Sequence, residues 1–371
     1  MARIAIITSH VTTGAAVSSD VLGMRAALET HGHDARVYAE TSDLQVPRIW
    51  PVNEVNNFLA DPADVFIYHH SIGWSPALEM LKTVKCRTVV KYHNITPPVF
   101  FSGFSAWHEQ KCREGQEQLQ AIADEDCDLY LSDSDYNQQE LLAIGVDESR
   151  TFVVPPFHEI DRLHSMEAEL ETLDAFRDGT TIVLSVGRVA PHKGHPDLLK
   201  AFAAYHHACN RNSRLLIVGR EEEAFVAYSA RLRELIKFLS LEDAVTFTGE
   251  ISDAALRALY LMANVFACTS EHEGFCLPLV EAMATKVPIV AYDSTALSET
   301  LGGAGILLED RNPEMMAESI NLLTIDEAMN VAVGIEGHRR YENQFTSGVI
   351  ENKFMRALGT LNGKSEKNTH G

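Results

Sequence analysis

Ser270-Glu271-His272-Glu273-Gly274-Phe275-Cys276-Leu277-Pro278-Leu279-Val280-Glu281-Ala282-Met283-Ala284-Thr285-Lys286-Val287-Pro288-Ile289-Val290-Ala291 reads as a polar loop, a short helix and a strand. An apolar run, Asn264 to Cys268, leads into it, and the β-branched run Val287 to Ala291 closes it. Pro278 suits the first turn of a helix, where its missing N–H costs nothing. The first N–H groups of that helix have no partner within it, so they can hold an anion. Glu273 on the loop and Glu281 inside the helix bracket this anion site. Carboxylates are poor phosphate ligands but good acceptors for sugar hydroxyls. The stretch therefore reads as a site for a molecule carrying both phosphate and hydroxyls.

The same alternation extends outward in both directions. Ile4–Thr8 is a short apolar strand, followed by a small-residue loop at Gly14, a helix over Val17–Thr30 and a strand from Asp34. Further strands are expected at Asp64–His69, Arg87–Tyr92, Asp128–Leu131 and Thr151–Val154, with helices at Trp107–Ala123 and Tyr136–Ile144. After a polar linker with a connecting helix, His158–Gly179, the pattern restarts. Strands are expected at Thr180–Val186, Arg214–Val218 and Ala244–Thr248, and helices at His195–Ala208, Ala224–Leu239, Leu256–Met262 and Pro313–Leu323. Strands alternating with helices predict parallel sheets with helices on both faces. With 371 residues, two such domains are expected, 1–157 and 158–345. One or two terminal helices follow within Tyr341–Leu361; the part over 346–361 is assigned to the first domain, and 362–371 reads as a disordered tail.

The formal charge is −21. An acidic chain disfavours a nucleic-acid partner and electrostatic docking on anionic lipid. An anionic substrate must then find a local basic pocket. Six scattered cysteines without a CxxC pair fit free thiols in a reducing cytosol. The N-terminus reads as a strand rather than a leader, and no apolar run approaches membrane-spanning length.

The second informative segment is Val186-Gly187-Arg188-Val189-Ala190-Pro191-His192-Lys193-Gly194. Neither GxxxxGK[ST] nor GxGxxG occurs in the chain, so the common nucleotide loops are absent. Gly187 makes a tight turn at a strand end, and Arg188 and Lys193 follow as two cations able to converge on a diphosphate. His192 and His195 lack a completing ligand and are not read as a metal site. Glu221–Glu223 reads as a solvated acidic helix start. Asp133-Ser134-Asp135 has the spacing of a metal-binding triplet, but Asp135 is read as a helix cap. Gly14 is either a turn glycine or a point of close approach to ligand. His93, in Lys91-Tyr92-His93-Asn94-Ile95-Thr96-Pro97-Pro98, stands at a strand's carboxyl end, where α/β proteins bind ligands. Phe100, Phe101, Phe104 and Trp107 read as a helix start packed on the core.

Taken in order, Gly187-Arg188…Lys193-Gly194, Phe247-Thr248-Gly249, Ser270…Glu273-Gly274-Phe275…Glu281-Ala282-Met283-Ala284…Pro288 and Glu299…Gly305 resemble the family-four glycosyltransferases. The resemblance covers most of 180–325. Around Gly14 and Tyr92–Pro98 the chain is similar, more loosely, to bacterial mannosyltransferases of surface-polysaccharide assembly. Cys276 departs from the pattern, where glycine is usual. The resemblance implies a GT-B fold, with two Rossmann-like doubly wound domains facing a central cleft, and transfer of a sugar with retention. It implies that Arg188 and Lys193 hold the donor diphosphate and that Glu273 accepts from the donor sugar. The backbone of Gly274, Phe275, Cys276 and Leu277 would line the sugar and phosphate. Glu281 would bind the ribose, His93 would face the sugar's C6 end, and Gly14 would approach the phosphate or acceptor. No metal or other cofactor is implied. The implied donor is a nucleotide sugar, GDP-mannose or alternatively a UDP-hexose, and the acceptor a glycan, glycolipid or small molecule. The enzyme would be cytoplasmic, with peripheral membrane association through the acceptor. A nucleotide-sugar epimerase or a non-catalytic sugar-nucleotide-binding partner is the rival reading.

Overall fold

The structure, a computed structural model, describes residues 2–45 and 48–363. It divides into two compact units. The first runs up to Val99, continues through Trp107–Glu159 and takes in the final helix, Ser347–Gly363. The second comprises Phe100–Ala106 and Ile160–Thr346.

Seven parallel strands form the first sheet: β1 (Arg3–Val11), β2 (Asp34–Ser42), β3 (Trp50–Pro51), β4 (Val65–His70), β5 (Arg87–Tyr92), β6 (Leu129–Ser132) and β7 (Thr151–Val153). Their order is β3-β2-β1-β4-β5-β6-β7. Every residue of β4 is buried, as expected of an interior parallel strand covered on both faces. The helix Ala16–Thr30 buries Val21, Met24, Ala27 and Leu28, spaced three or four apart, and Gly32 ends it in the left-handed region at φ +81°. The final helix seats Ile350, Phe354 and Leu358 in the same core, with Phe354 edge-on to Phe157 at 5.6 Å. Each such side chain contributes about 1.5–3 kcal/mol over its exposed state.

The second sheet is also wholly parallel: β8 (Thr181–Val186), β9 (Ser213–Val218), β10 (Val245–Gly249), β11 (Val265–Cys268), β12 (Ile289–Tyr292) and β13 (Ile306–Leu308). Its order is β10-β9-β8-β11-β12-β13. In both sheets the order reverses beside the unit's first strand, between β1 and β4 and between β8 and β11. In such sheets ligands bind at the carboxyl ends of the strands flanking this switch point.

Several sequence readings need correction. The connection after His158 holds two short helices, Ile160–Ser165 and Leu170–Phe176, rather than one. The cap of the helix Asp135–Ala143 is Ser134, whose hydroxyl accepts from the Asn137 N–H; Asp135 is already helical. Phe101 is buried and stacks on Phe225 at 5.6 Å, and Phe104 meets Tyr228 edge-on at 5.5 Å. These rings pack within the second unit, ahead of the helix Ala106–Asp124 rather than at its start, and Trp107 is exposed. The final helix continues through Gly363, two residues into the expected tail; the rest of that tail lies outside the described residues.

Candidate active site

In the second unit, the turn after β8 and the loop after β11 meet at the switch point. Gly187 has φ +149°, and a Cβ there would lie 3.6 Å from Lys193 Cε. Gly194 has φ +67° and packs its Cα directly on the Thr269 carbonyl; a Cβ would come within 2.0 Å of that oxygen. Thr269 Oγ1 donates to Gly194 O at 3.0 Å, and the Glu271 N–H donates to His192 O at 2.8 Å. The opposite side of the loop is pinned from beyond β12. Thr295 Oγ1 accepts from Glu273 N and donates to Glu273 O, both at 2.8 Å. Ser294 donates to Ser270 O and Thr300 to Phe275 O, each at 2.6 Å. Five side-chain bonds thus fix a loop that has no regular structure of its own.

Gly187, Lys193, His195, Thr269, Ser270 and Cys276 line one small cavity in this unit. Lys193 Nζ bonds Glu273 Oε1 at 2.5 Å, and both side chains are mostly shielded. Burial works against the ammonium, but Glu273 more than offsets it, so Lys193 titrates above its usual range. Arg188 faces elsewhere: it is half exposed and bonds Glu222 at 2.7 Å. The two cations therefore do not share a partner as the spacing suggested. Nor are Glu221–Glu223 simply solvated, since Glu221 takes a two-pronged bond from Arg233 and Glu222 is largely covered.

Cys276 caps the helix Leu277–Ala284 with φ +76°, ψ +73°. That left-handed conformation explains why glycine is favoured at this position. The Cys276 thiol hydrogen-bonds to Cys268, which depresses the Cys268 thiol and raises that of Cys276. Gly274 is half buried, Phe275 is buried against Phe345 at 5.4 Å, and Leu277 opens the helix against the core. Glu281 is largely covered and accepts from the Tyr260 hydroxyl at 2.6 Å. Burial raises its carboxyl above the usual range despite that bond.

Gly14 and His93 belong to the first unit. Gly14 is exposed on the turn after β1 at φ +74°. Tyr92 and Asn94, on either side of His93, both donate to Glu140, at 3.0 and 2.6 Å. His93 is thereby held at the end of β5, its Nδ1 on Asp133 Oδ2 at 3.0 Å and its Nε2 2.8 Å from His69 Nδ1. Lys91, fully buried, pairs with Asp133 at 2.6 Å and donates to Val154 O. Burial alone would raise the Asp133 carboxyl, but Lys91 and then His93 lower it. Asp20 behaves oppositely: its burial outweighs Lys91 and His93, and its carboxyl is raised. Sequence reasoning found His93 but missed Asp20, His69 and Asp133, which converge from distant parts of the chain.

Several other histidines are held neutral. Burial pushes His70, His195 and His272 down to about 4. The unfolded chain protonates them below about 6.5. Their contribution is complete above that pH and is lost as pH falls towards 4. Glu140 and Glu281, raised by burial, offset part of this. We expect the thermal midpoint to fall between pH 7 and pH 4.5; a midpoint that rises over that interval would contradict the buried neutral rings.

Residues 171–340 match the family described as glycosyl transferases group 1. The chain is 31% identical over 235 residues to a D-inositol 3-phosphate glycosyltransferase of Kineococcus radiotolerans, covering 58% of this chain and 53% of that protein. It is 29% identical over 196 residues to a GDP-mannose-dependent alpha-(1-6)-phosphatidylinositol monomannoside mannosyltransferase of Mycobacterium tuberculosis, covering 50% and 49%. The chain spans about half the length of these curated relatives. Sucrose-phosphate synthase from Thermosynechococcus elongatus has the same fold, with TM-score 0.76 at 20% identity over 98% of this chain and 100% of that one. Among the described residues no helix is long and apolar enough to cross a membrane. The stretch that matches the glycosyl transferases group 1 model, residues 171–340, spans nearly all of the second parallel-sheet unit.

Proposed function

We propose that the protein is a retaining glycosyltransferase that moves a hexose from a nucleotide sugar to a glycan, glycolipid or small-molecule acceptor in glycan biosynthesis. GDP-mannose is the preferred donor and a UDP-hexose the alternative. The observation that carries this reading is the cavity at the switch point of the second sheet, where Lys193, held by Glu273, shares the lining with Gly187 and Cys276.

Departure of a nucleoside diphosphate places negative charge on its phosphate. Lys193 answers that charge at the cavity wall, and the first turn of the helix Leu277–Ala284 adds N–H donors. Arg188 is half exposed and can exchange Glu222 for phosphate. Glu273 keeps one oxygen on Lys193 and offers the other to the donor sugar's hydroxyls, while the backbone of Gly274–Leu277 lines sugar and phosphate. Glu281, backed by Tyr260, accepts from the ribose.

Incubating the purified protein with donor and candidate acceptors, with product analysis, tests this reading. Transfer supports it; conversion of the donor alone to an epimer contradicts it. Arg188→Ala is expected to slow transfer by about a hundredfold, the scale for loss of one oxyanion donor. Near wild-type rates would remove Arg188 from the diphosphate. No step in this scheme passes through a metal, so EDTA leaves turnover intact; strict dependence on an added divalent ion would overturn that part.

A further inference from the structure

We propose that Asp20, His69 and His93 form a binding site for a four-coordinate divalent transition-metal ion, zinc before others. Asp20 Oδ2 lies 3.5 Å from His69 Nδ1 and 3.5 Å from His93 Nε2. Donors bound to zinc at about 2.0–2.1 Å in a tetrahedron stand about 3.3–3.5 Å apart. Two edges of the triangle already have that length. The third, His69 Nδ1 to His93 Nε2, is 2.8 Å and needs to open by roughly half an ångström.

The surroundings are built as a ligand site is built. Asp20 is fully buried, and its Oδ1 accepts from the Phe157 N–H at 2.7 Å. That bond fixes the carboxylate while Oδ2, buried and without a hydrogen-bond partner, faces the two rings. His93 Nδ1 donates to Asp133 Oδ2, which sets the tautomer so that the Nε2 lone pair points inward. Asp133 is itself anchored by Lys91. A carboxylate behind a ligating imidazole is the usual outer support of such a site. Two imidazoles and one carboxylate suit zinc or cobalt better than magnesium or calcium, which require more oxygen donors. Three protein donors leave a fourth position open to water. The ion would tie the helix Ala16–Thr30, which follows the Gly14 turn, to the ends of β4 and β5. The site lies wholly in the first unit.

Chelator-stripped full-length protein titrated with Co(II) tests the site. The expected result is the intense visible absorption of four-coordinate cobalt, saturating at one equivalent and displaced by Zn(II). His69→Ala and Asp20→Asn should each abolish the band, and Asp133→Asn should weaken binding about 10–100-fold. A His206→Ala, His207→Ala double variant should keep the band, which removes the adjacent histidine pair on the helix His195–Ala208 as its source. Metal-free melting curves establish whether each variant is folded. Absence of the band in the wild type, or its persistence in folded His69→Ala and Asp20→Asn, overturns the site. Should either variant fail to fold, X-ray absorption of zinc-loaded wild type decides: two imidazoles and oxygen at about 2.0–2.2 Å support it, and a sulfur ligand or a single imidazole overturns it.

Discussion

Replacing Lys193 with alanine is expected to reduce the rate of sugar transfer by about a hundred- to a thousandfold while the chain remains folded. Lys193 lines the strand-end cavity and is held at 2.5 Å by Glu273. A preorganised cation of this kind is already oriented when charge develops on the leaving phosphate, so no reorganisation accompanies the reaction. The substitution also removes the partner of Glu273, whose side chain is only 10% exposed. Because both groups retain some contact with solvent, we expect a loss of about 1–2 kcal/mol, less than for a fully buried pair. Lys193→Arg should recover only part of the rate, since a planar fork cannot replace a point charge on a short reach. Initial rates with saturating acceptor, read beside melting curves, check both effects. Near wild-type turnover in Lys193→Ala would dissociate the residue from the diphosphate.

Gly194→Ala is expected to be among the most damaging small substitutions in the second unit. The position has φ +67°, and the new methyl would lie 2.0 Å from a backbone oxygen, which cannot swing away as a side chain can. The clash would push apart the turn after β8 and the loop after β11, breaking the Thr269 bond to Gly194 O. A cost of about 2–4 kcal/mol is expected, together with loss of transfer, because Lys193 is displaced with the turn. Gly303→Ala is the control. It too has a left-handed backbone, at φ +82°, but its Cβ would meet nothing within 4 Å. Its cost should be no more than about 1–2 kcal/mol. Equal denaturant midpoints for the two variants would show that the close approach at Gly194 does not matter.

Much of the fold was legible because buried parallel strands and amphipathic helices leave local marks. Arg87–Tyr92 and His195–Ala208 have the bounds that their apolar runs and flanking residues suggested. The helix Ser75–Thr83 was not assigned, since it is only nine residues long and buries only Ala77 and Leu81. β13 was missed because three residues are too few to show alternation. In the site, Gly187, Lys193 and Glu273 could be found from their places on two contiguous strand-end segments, and Cys276 from the family resemblance. Their supports could not. Tyr260 reaches Glu281 from another helix, and Thr295 pins Glu273 from beyond β12. Arg188 and Lys193, five positions apart on one strand-end segment, suggested convergence, yet Arg188 turns to Glu222, across the β8–β9 pairing. Asp133 was read only as part of an Asp-Ser-Asp triplet at a strand–helix turn, and only the folded chain shows it buried against Lys91 and His93.

The opening stretch, Ser270–Ala291, carries the central claim that the second unit binds the diphosphate and sugar of one donor. Melting the wild type, Lys193→Ala and Arg188→Ala with a panel of nucleotide sugars tests this most directly. A donor at a hundred times its dissociation constant stabilises its site by about 2.7 kcal/mol, enough to shift a melting midpoint measurably. We predict that GDP-mannose, or failing that a UDP-hexose, raises the wild-type midpoint, and that Lys193→Ala loses most of that rise. A wild-type midpoint unmoved by every nucleotide sugar, or an undiminished rise in both variants, would contradict the account.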